Sequence, residues 1–181
     1  DRNILTQLLR LHQIVCGHVK SDDDKDIPID SNRIDSMFEV ISEMQGKVII
    51  WANYRQNIIE IVNSLHEVFG TQAVSSYFGD THPDERERVI RDFQDPESPL
   101  RFFVGNTQTG GYGITLTEAK NVIYYSNNFD LEKRLQSEDR AHRIGQTNKV
   151  TYVDLVAKDT IDEKIVDALR NKLDLAQEVL G

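Results

Sequence analysis

Two arginines near the carboxyl end of a predicted helix are the first residues whose type and spacing suggest chemistry. The segment DRAHRIGQ (139–146) holds Arg140 and Arg143 three positions apart, and Gln136 precedes them by one further turn. On a helix, this spacing places all three side chains on one face. Neighbouring guanidinium groups repel each other unless an anion meets them, and their planar shape suits two-pronged contacts with phosphate oxygens. Gly145 is expected to end the helix, which leaves both arginines near its carboxyl end, where they could contact a phosphate group.

A purely structural explanation of this helix face is also open. The same residues fit a solvated face on which Arg140 pairs with Gln136 or Glu138, because charged helix faces usually point to water. No metal site is expected, since Cys16 and His18 supply two ligands and cannot fill a tetrahedral shell.

A glycine-rich segment, GNTQTGGYGITL (105–116), is the second candidate for ligand contact. Gly110, Gly111 and Gly113 allow the backbone to bend tightly and to approach a ligand closely. The segment lacks the Gly-Lys-Ser/Thr of a phosphate-binding P-loop, and that triplet occurs nowhere in the 181 residues. A structural turn is the alternative explanation.

The elements that must position these residues follow from short apolar runs separated mostly by helical patterns. Five runs have the composition of buried strands: KVIIWA, AVSSYF, LRFFVG, NVIYYS and VTYVDLVA. This alternation predicts an α/β fold in which a parallel sheet is sandwiched by helices. A helical extension is predicted over residues 2–17, Ser31 is a candidate N-cap of the next helix, and a long helix after Thr160 closes the chain. Ligands of such sheets bind beyond the carboxyl ends of the strands.

Composition and charge restrict the class of protein. The chain has 30 acidic and 21 basic residues, a net charge of −9, which argues against a general polyanion-binding surface. Five of the ten residues over 21–30 are aspartates, which predicts a solvated loop or linker. No apolar run is long enough to span a membrane, and one cysteine excludes an internal disulfide. We therefore predict an intracellular protein with two regions, an N-terminal helix and acidic loop over 1–30 and a single domain over 31–181.

Several segments together resemble the second RecA-like lobe of Swi/Snf-family ATPases, the translocase branch of superfamily-two helicases. KVIIWANY is similar to motif IV of that family, NTQTGGYGITLTEAKNVIYYS to motif V and the strand after it, and QSEDRAHRIGQ to motif VI. YFGDTHPDERERVIRDF and VTYVDLVAKDTIDEKI resemble further conserved blocks, and LLRLHQIVCGH resembles the helix before the lobe. The resemblance covers nearly all of the chain and implies a RecA-like fold.

The resemblance also implies roles for the residues that bind nucleotide. In the family, the two motif VI arginines reach across a cleft to ATP phosphates held by the first lobe, so Arg140 and Arg143 are implied to be arginine fingers. Gly113 and Gln136 are implied to lie near the nucleotide. ATP and Mg²⁺ are implied to be held mainly by the first lobe, so the isolated chain is expected to be inactive.

Contacts with double-stranded DNA are implied for the motif V loop and for an aromatic position. Thr107 is implied to touch a DNA phosphate, with Gln108 beside it where the family commonly has a basic residue. The family typically has an acid and then Trp-Asn-Pro after the motif V strand. Here Ser126 replaces the acid, and Phe129 stands eleven residues before Arg140, at the position of the tryptophan. Phe129 either presses against sugar or base edges or plugs the base of the helix.

The function expected from the sequence is that of the second motor lobe of an ATP-dependent double-stranded-DNA translocase. Its partners would be the N-terminal RecA-like lobe of the same polypeptide and the duplex. Two alternatives stay open: a degenerate lobe that binds proteins without catalysis, and part of a strand-separating helicase. The compact loops favour a bacterial or phage member, and hence a cytoplasmic location, over a nuclear one.

Overall fold

The computed structural model of the chain describes residues 18–20, 26–28, 32–79, 81–108, 114–128, 130–142, 149–158 and 160–180. Within these ranges, five parallel strands form one sheet in the spatial order β4-β5-β3-β6-β7. The predicted parallel sheet is thereby confirmed, with all five predicted runs in it. The strands are β3 Lys47–Trp51, β4 Val74–Tyr77, β5 Phe102–Gly105, β6 Ala119–Tyr124 and β7 Thr151–Asp154.

Helices cover both faces of this sheet, as predicted. The helices α1 and α2 pack on one face, whereas α3 and α4 pack on the other. The long helix α5 packs against the start of α4 through a small cluster of buried leucine and isoleucine side chains. The helices are α1 Arg33–Ser42, α2 Arg55–Phe69, α3 Pro83–Gln94, α4 Leu131–Ala141 and α5 Ile161–Leu180, with a 3₁₀ turn at Thr71–Ala73.

The central strand β3 is buried along its whole length. Val48 and Ile50 point into the core under α1 and α2, and Ile49 and Trp51 point into the core under α3 and α4. Trp51 is 1% exposed, and its ring meets that of Phe103 edge-on with centroids 6.0 Å apart. The alternation of side chains along a strand therefore divides the apolar run between two cores.

Two predictions near the amino terminus need correction. Residues 26–28, predicted as part of a loop or linker, form strand β2 Asp26–Pro28, which pairs antiparallel with β1 His18–Lys20. Ile27 stands opposite Val19 in this register, and β-branched residues favour extended structure. The N-cap of α1 is Asn32, without a side-chain capping bond, and not Ser31. The predicted helix over 2–17 lies outside the described residues.

A buried ion pair joins the first helix of the sheet domain to the last. The Arg33 guanidinium donates to the Asp162 carboxylate and to the carbonyl oxygens of Tyr125 (2.6 Å) and Leu155 (3.1 Å). Asp162 also accepts the Ala157 N–H at 3.0 Å. Both charged side chains are 4% exposed, so the pair is almost completely removed from water.

No helix in the described parts of the chain is long and apolar enough to cross a membrane.

Candidate functional site at the carboxyl ends of the strands

Polar side chains gather where β3, β5 and β6 end. In a parallel sheet these ends lie at one edge, which is the usual position of a ligand site. Here they enclose a small pocket of about 10 Å³. Small-molecule sites usually measure about 300–1,000 Å³, so this pocket cannot by itself enclose a nucleotide. Its lining consists of Ala52, Asn53, Thr107, Tyr124, Ser126, Asn127, Asn128, Asp130 and Arg134.

Thr107 lies in this pocket, on the loop that leaves β5. The Asn106 side chain shapes the loop, because its Oδ1 accepts the Gln108 N–H at 2.8 Å and so closes a turn around Thr107. The Nδ2 of the same side chain donates to the Asn53 carbonyl oxygen at 2.9 Å. Thr107 is half-buried, and Gln108 is exposed. The loop is therefore fixed to the end of β3 by one asparagine, with the Gln108 side chain directed to solvent.

Ser126, which stands where the resemblance leads one to expect an acid, is 5% exposed. Its Oγ accepts the Asn53 N–H at 2.7 Å. Asn128 follows two residues later, and its Nδ2 donates to the Asn53 Oδ1 at 3.1 Å. The ends of β3 and β6 are thus joined by both the backbone and the side chain of Asn53.

Arg134, in the second turn of α4, uses all three nitrogens of its guanidinium group in hydrogen bonds within the fold. It donates to both oxygens of Asp154 (2.6 and 3.2 Å), to the Asn127 Oδ1 (2.8 Å) and to the Glu138 carboxylate (2.8 Å). Its guanidinium carbon lies 3.4 Å from the centroid of the Tyr124 ring. Burial acts to lower the pKa of Arg134, but the hydrogen bonds and charge of its partners outweigh burial and raise that pKa above its usual value. Arg134 therefore stays charged and anchors α4 to β6 and β7.

Tyr124 connects this arginine to the helix behind it. Burial raises the pKa of the Tyr124 phenol well above its usual value. The Ser137 hydroxyl donates to the Arg134 carbonyl oxygen at 2.6 Å, so Tyr124 is the donor in the 2.7 Å bond between the two hydroxyls. The neutral phenol is thus held as a hydrogen-bond donor under α4.

Gln136 and Arg140 both lie on α4, and they are half-buried. Gln136 donates to the Glu132 carboxylate at 3.2 Å, one turn earlier. The structural explanation required Arg140 to pair with Gln136 or Glu138. Neither side chain forms a hydrogen bond or ion pair with Arg140, because Gln136 bonds Glu132 and Glu138 pairs with Arg134. Within the described part of the chain, the Arg140 guanidinium has no hydrogen-bond or ion-pair partner. Its backbone carbonyl accepts the Leu116 N–H at 2.9 Å, which fixes the end of α4 to the segment after the glycine-rich loop.

The structure brings only part of the predicted site together. Thr107 shares its pocket with the first residues of α4, whereas Gln136 and Arg140 lie further along that helix and do not line the pocket. Gly113, Phe129 and Arg143 lie outside the described residues, so the predictions at these positions stay predictions. Across the described ranges, no group of three or more His, Cys, Asp or Glu side chains could hold a metal ion.

Sequence reasoning missed the polar residues that hold the pocket together. Asn53, Asn106 and Asn128 each follow the end of a strand by one to four residues, and asparagines there often bond the local backbone. That signal was present in the sequence. The partners of these asparagines lie up to 75 residues away, which no local pattern reveals.

Comparison with known proteins gives a family match that begins just before α1 and ends before β7. The profile described as "Helicase conserved C-terminal domain" matches residues 32–145. A crystal structure described as the C-terminal part of the Fun30 ATPase domain superimposes with a TM-score of 0.67 at 30% sequence identity, and the match covers 76% of this chain and 44% of that one. This match supports the RecA-like α/β fold expected from the sequence.

Curated relatives agree with the structural match. The ATP-dependent helicase Fun30 of Saccharomyces cerevisiae is 35% identical over 80% of this chain. Snf22 of Schizosaccharomyces pombe, named as a SWI/SNF chromatin-remodeling complex subunit, is 37% identical over 56% of it. The matches span only 13% and 6% of those two proteins, so they concern one lobe of much longer chains.

The expectation of a bacterial or phage protein in the cytoplasm is wrong. Six relatives come from Saccharomyces cerevisiae, Schizosaccharomyces pombe and Mycosarcoma maydis, which are eukaryotes, and five of the six names refer to chromatin remodelling, transcription or the nucleus. These relatives point to a nuclear protein instead. Compact loops did not distinguish a bacterial or phage protein from a nuclear one, because they describe only this lobe and not the rest of the protein.

Proposed function

Since the chain belongs to the helicase conserved C-terminal domain family and is homologous to the C-terminal lobe of Swi/Snf-family ATPases, we propose that it is the second motor lobe of an ATP-dependent translocase on double-stranded DNA. Residues 31–181 would form this lobe, and residues 1–30 would form an extension that precedes it. The family match beginning at residue 32 supports this division.

The contrast between two arginines of α4 carries the proposal. Arg134 uses its guanidinium in four hydrogen bonds to three side chains, so its role is structural. Arg140, less than two turns later, has an uncommitted guanidinium among the described residues, on a helix whose end is fixed by the Leu116 N–H. A cation that has no partner among the described residues, on a helix whose end is held in place, fits a group that meets an anion from outside the lobe.

The anion would be the phosphates of ATP held by the first lobe. Arg140, and Arg143 after it, would stabilise the charge that develops as the γ-phosphoryl group is transferred to water. Arginine fingers contribute roughly 10³–10⁵ to the rate in other nucleotide hydrolases. Gln136 and Gly113 would lie near the same nucleotide. The absence of Gly-Lys-Ser/Thr from this sequence supports a site in which the other lobe holds the phosphates and Mg²⁺.

DNA would contact the carboxyl-end edge of the sheet, at the turn that carries Thr107. Thr107, in a turn closed by Asn106, would donate its hydroxyl to a DNA phosphate, with the exposed Gln108 beside it and Phe129 against the sugar or base edges. Affinity that comes from phosphate contacts falls with salt concentration. Because the relatives are chromatin-remodelling proteins, we infer that this duplex is chromatin DNA in the nucleus.

The test is ATP hydrolysis by the two-lobed parent protein with and without duplex DNA. Arg140→Ala and Arg143→Ala are expected to lower kcat at least about 100-fold while ATP still binds, because a finger acts mainly on the transition state. The matched control is Arg91→Ala, an exposed arginine in the last turn of α3. It should hydrolyse ATP at the wild-type rate.

The outcomes separate the candidate functions. If Arg140→Ala and Arg143→Ala both hydrolyse ATP as fast as Arg91→Ala, the finger assignment is wrong. If the wild type is inert with duplex DNA, the lobe is a degenerate module that binds other proteins. If the wild type releases a strand from a duplex during hydrolysis, it belongs to a helicase and not to a translocase.

A further inference from the structure

Three asparagines form a continuous hydrogen-bonded connection across the edge of the sheet. They are Asn53 after β3, Asn106 after β5 and Asn128 after β6, and we call them the asparagine bridge. Asn106 and Asn128 each use both ends of the side-chain amide, one within their own loop and one toward Asn53. Asn53 is therefore the point at which the two loops are joined.

One arm of the bridge controls the loop that carries Thr107. The Asn106 Oδ1 accepts the Gln108 N–H at 2.8 Å, and its Nδ2 donates to the Asn53 carbonyl oxygen at 2.9 Å. A shift of Thr107 along the sheet edge would stretch one or both of these bonds. The turn around Thr107 thus cannot move far unless Asn53 moves or the bridge breaks.

The other arm leads to the helix that carries Arg140. The Asn128 Nδ2 donates to the Asn53 Oδ1 at 3.1 Å, while the Asn128 Oδ1 accepts the Asp130 N–H at 2.9 Å. Asp130 in turn caps α4, because its Oδ1 accepts the Lys133 N–H at 3.1 Å. The first turn of α4 is therefore connected to Asn53 by three successive hydrogen bonds, each made by a side chain.

We propose that the asparagine bridge transmits DNA contact at Thr107 to the position of α4, and thereby of Arg140. The proposal rests on the proposed function, in which Thr107 meets DNA and Arg140 meets ATP. Asn106 and Asn128 are positioning residues, since neither is assigned a contact with nucleotide or with DNA. A DNA phosphate that draws the Thr107 loop closer would pull on Asn53, and Asn53 would pull on the start of α4.

Replacement by aspartate breaks the bridge with almost no change in volume. Asn106→Asp keeps the acceptor for the Gln108 N–H but loses the donor to the Asn53 carbonyl oxygen. Asn128→Asp likewise keeps the acceptor for the Asp130 N–H but loses the donor to the Asn53 Oδ1. The matched control is Asn53→Asp, which adds the same negative charge between the two arms but keeps both of the acceptor atoms that the bridge uses.

The measurement is the ratio of ATPase rates with and without duplex DNA, at saturating DNA, in the two-lobed parent protein. Asn106→Asp and Asn128→Asp are each expected to lower this ratio about fivefold or more, the lower limit of typical coupling between sites. Asn53→Asp should keep the wild-type ratio. A merely structural role would lower both rates together and leave the ratio unchanged, and saturating DNA removes any difference in affinity.

Several outcomes would overturn the proposal. If Asn106→Asp and Asn128→Asp show the same ratio of ATPase rates with and without DNA as Asn53→Asp, the bridge does not couple the two sites. If all three variants lose DNA stimulation equally, the added negative charge explains the loss. If only Asn106→Asp loses it, a local effect on the Thr107 loop explains the loss. A wild type that DNA does not stimulate would instead reject the proposed function itself.

Discussion

At the scale of single residues, the arginines of α4 differ in whether their side chains already pair with groups of the same fold. Arg134 and Arg140 are six positions apart on α4, yet only Arg134 has partners among the described residues. Sequence spacing could not separate the two roles, because it shows which residues share a helix face but not which acids reach them. Asp154, the main partner of Arg134, is twenty residues away in the chain.

The structural role of Arg134 gives a stability prediction. Replacing Arg134 by alanine leaves Asp154, only 21% exposed, without its counter-ion and leaves the Tyr124 ring without its stacked cation. Breaking a largely buried pair on one side typically costs about 3–5 kcal/mol, and we expect a loss near the lower limit because Asp154 retains some water contact. Equilibrium unfolding of the isolated chain in urea would measure it.

The control for this prediction lies on the same helix. Asp139 is exposed on α4 and makes no hydrogen bond or ion pair with its side chain among the described residues. Asp139→Ala should change the free energy of unfolding by less than about 0.5 kcal/mol. A loss for Arg134→Ala no larger than that of Asp139→Ala would show that the Arg134 contacts contribute nothing to stability.

At the scale of elements, local sequence patterns were sufficient for the sheet and most of its helices. The strands β3, β5 and β6 are almost entirely buried, and burial on both faces requires runs of apolar residues whatever their neighbours are. His82 accepts the Asp84 N–H at 3.3 Å beside Pro83, so α3 begins where these residues favour a helix start. The strand Asp26–Pro28 was missed because its pairing with His18–Lys20 depends on register, which the acidic composition around it concealed.

The joining of elements across the fold was not predictable. Arg33 and Asp162 are 129 residues apart, and each looks like an ordinary exposed charge near a helix start. In the structure the two side chains are each 4% exposed, and their ion pair connects α1 with α5. Only the folded topology brings these two helix ends together at the carboxyl edge of β6 and β7.

This pair gives a prediction at the scale of elements. Arg33→Met and Asp162→Leu should each cost about 3–5 kcal/mol, because each removes the ionic partner of a charge that stays buried. The double variant should cost less than the sum of the two by at least about 1 kcal/mol, since neither charge then remains. Urea unfolding of all four proteins completes the cycle, with Asp167→Asn on the exposed side of α5 as control.

The cycle distinguishes two explanations of any loss of stability. If the two costs add, Arg33 acts only through the Tyr125 and Leu155 carbonyl oxygens, and its ion pair with Asp162 contributes nothing. A change in Asp167→Asn beyond about 0.5 kcal/mol would mean that α5 is sensitive to any substitution, and the cycle would then say nothing specific about the pair.

At the scale of the whole molecule, this chain corresponds to only part of the proteins that it matches. It spans 44% of the solved Fun30 ATPase chain that it matches and 13% of full-length Fun30. The net charge of −9 does not suit a lobe that grips DNA alone. Local contacts such as the turn around Thr107 would therefore act together with a second lobe.

The last prediction follows from this division. The isolated chain should release no phosphate from ATP, because two arginines stabilise a transition state only when other groups hold the nucleotide, and the sequence lacks the Gly-Lys-Ser/Thr that would do so. Phosphate release should be compared between the isolated chain and the two-lobed parent at equal concentration with duplex DNA. Arg140→Ala in the isolated chain identifies any contaminating ATPase, whose activity it would not change. If the isolated chain hydrolyses ATP and Arg140→Ala abolishes that activity, this lobe holds the nucleotide unaided and is not half of a motor.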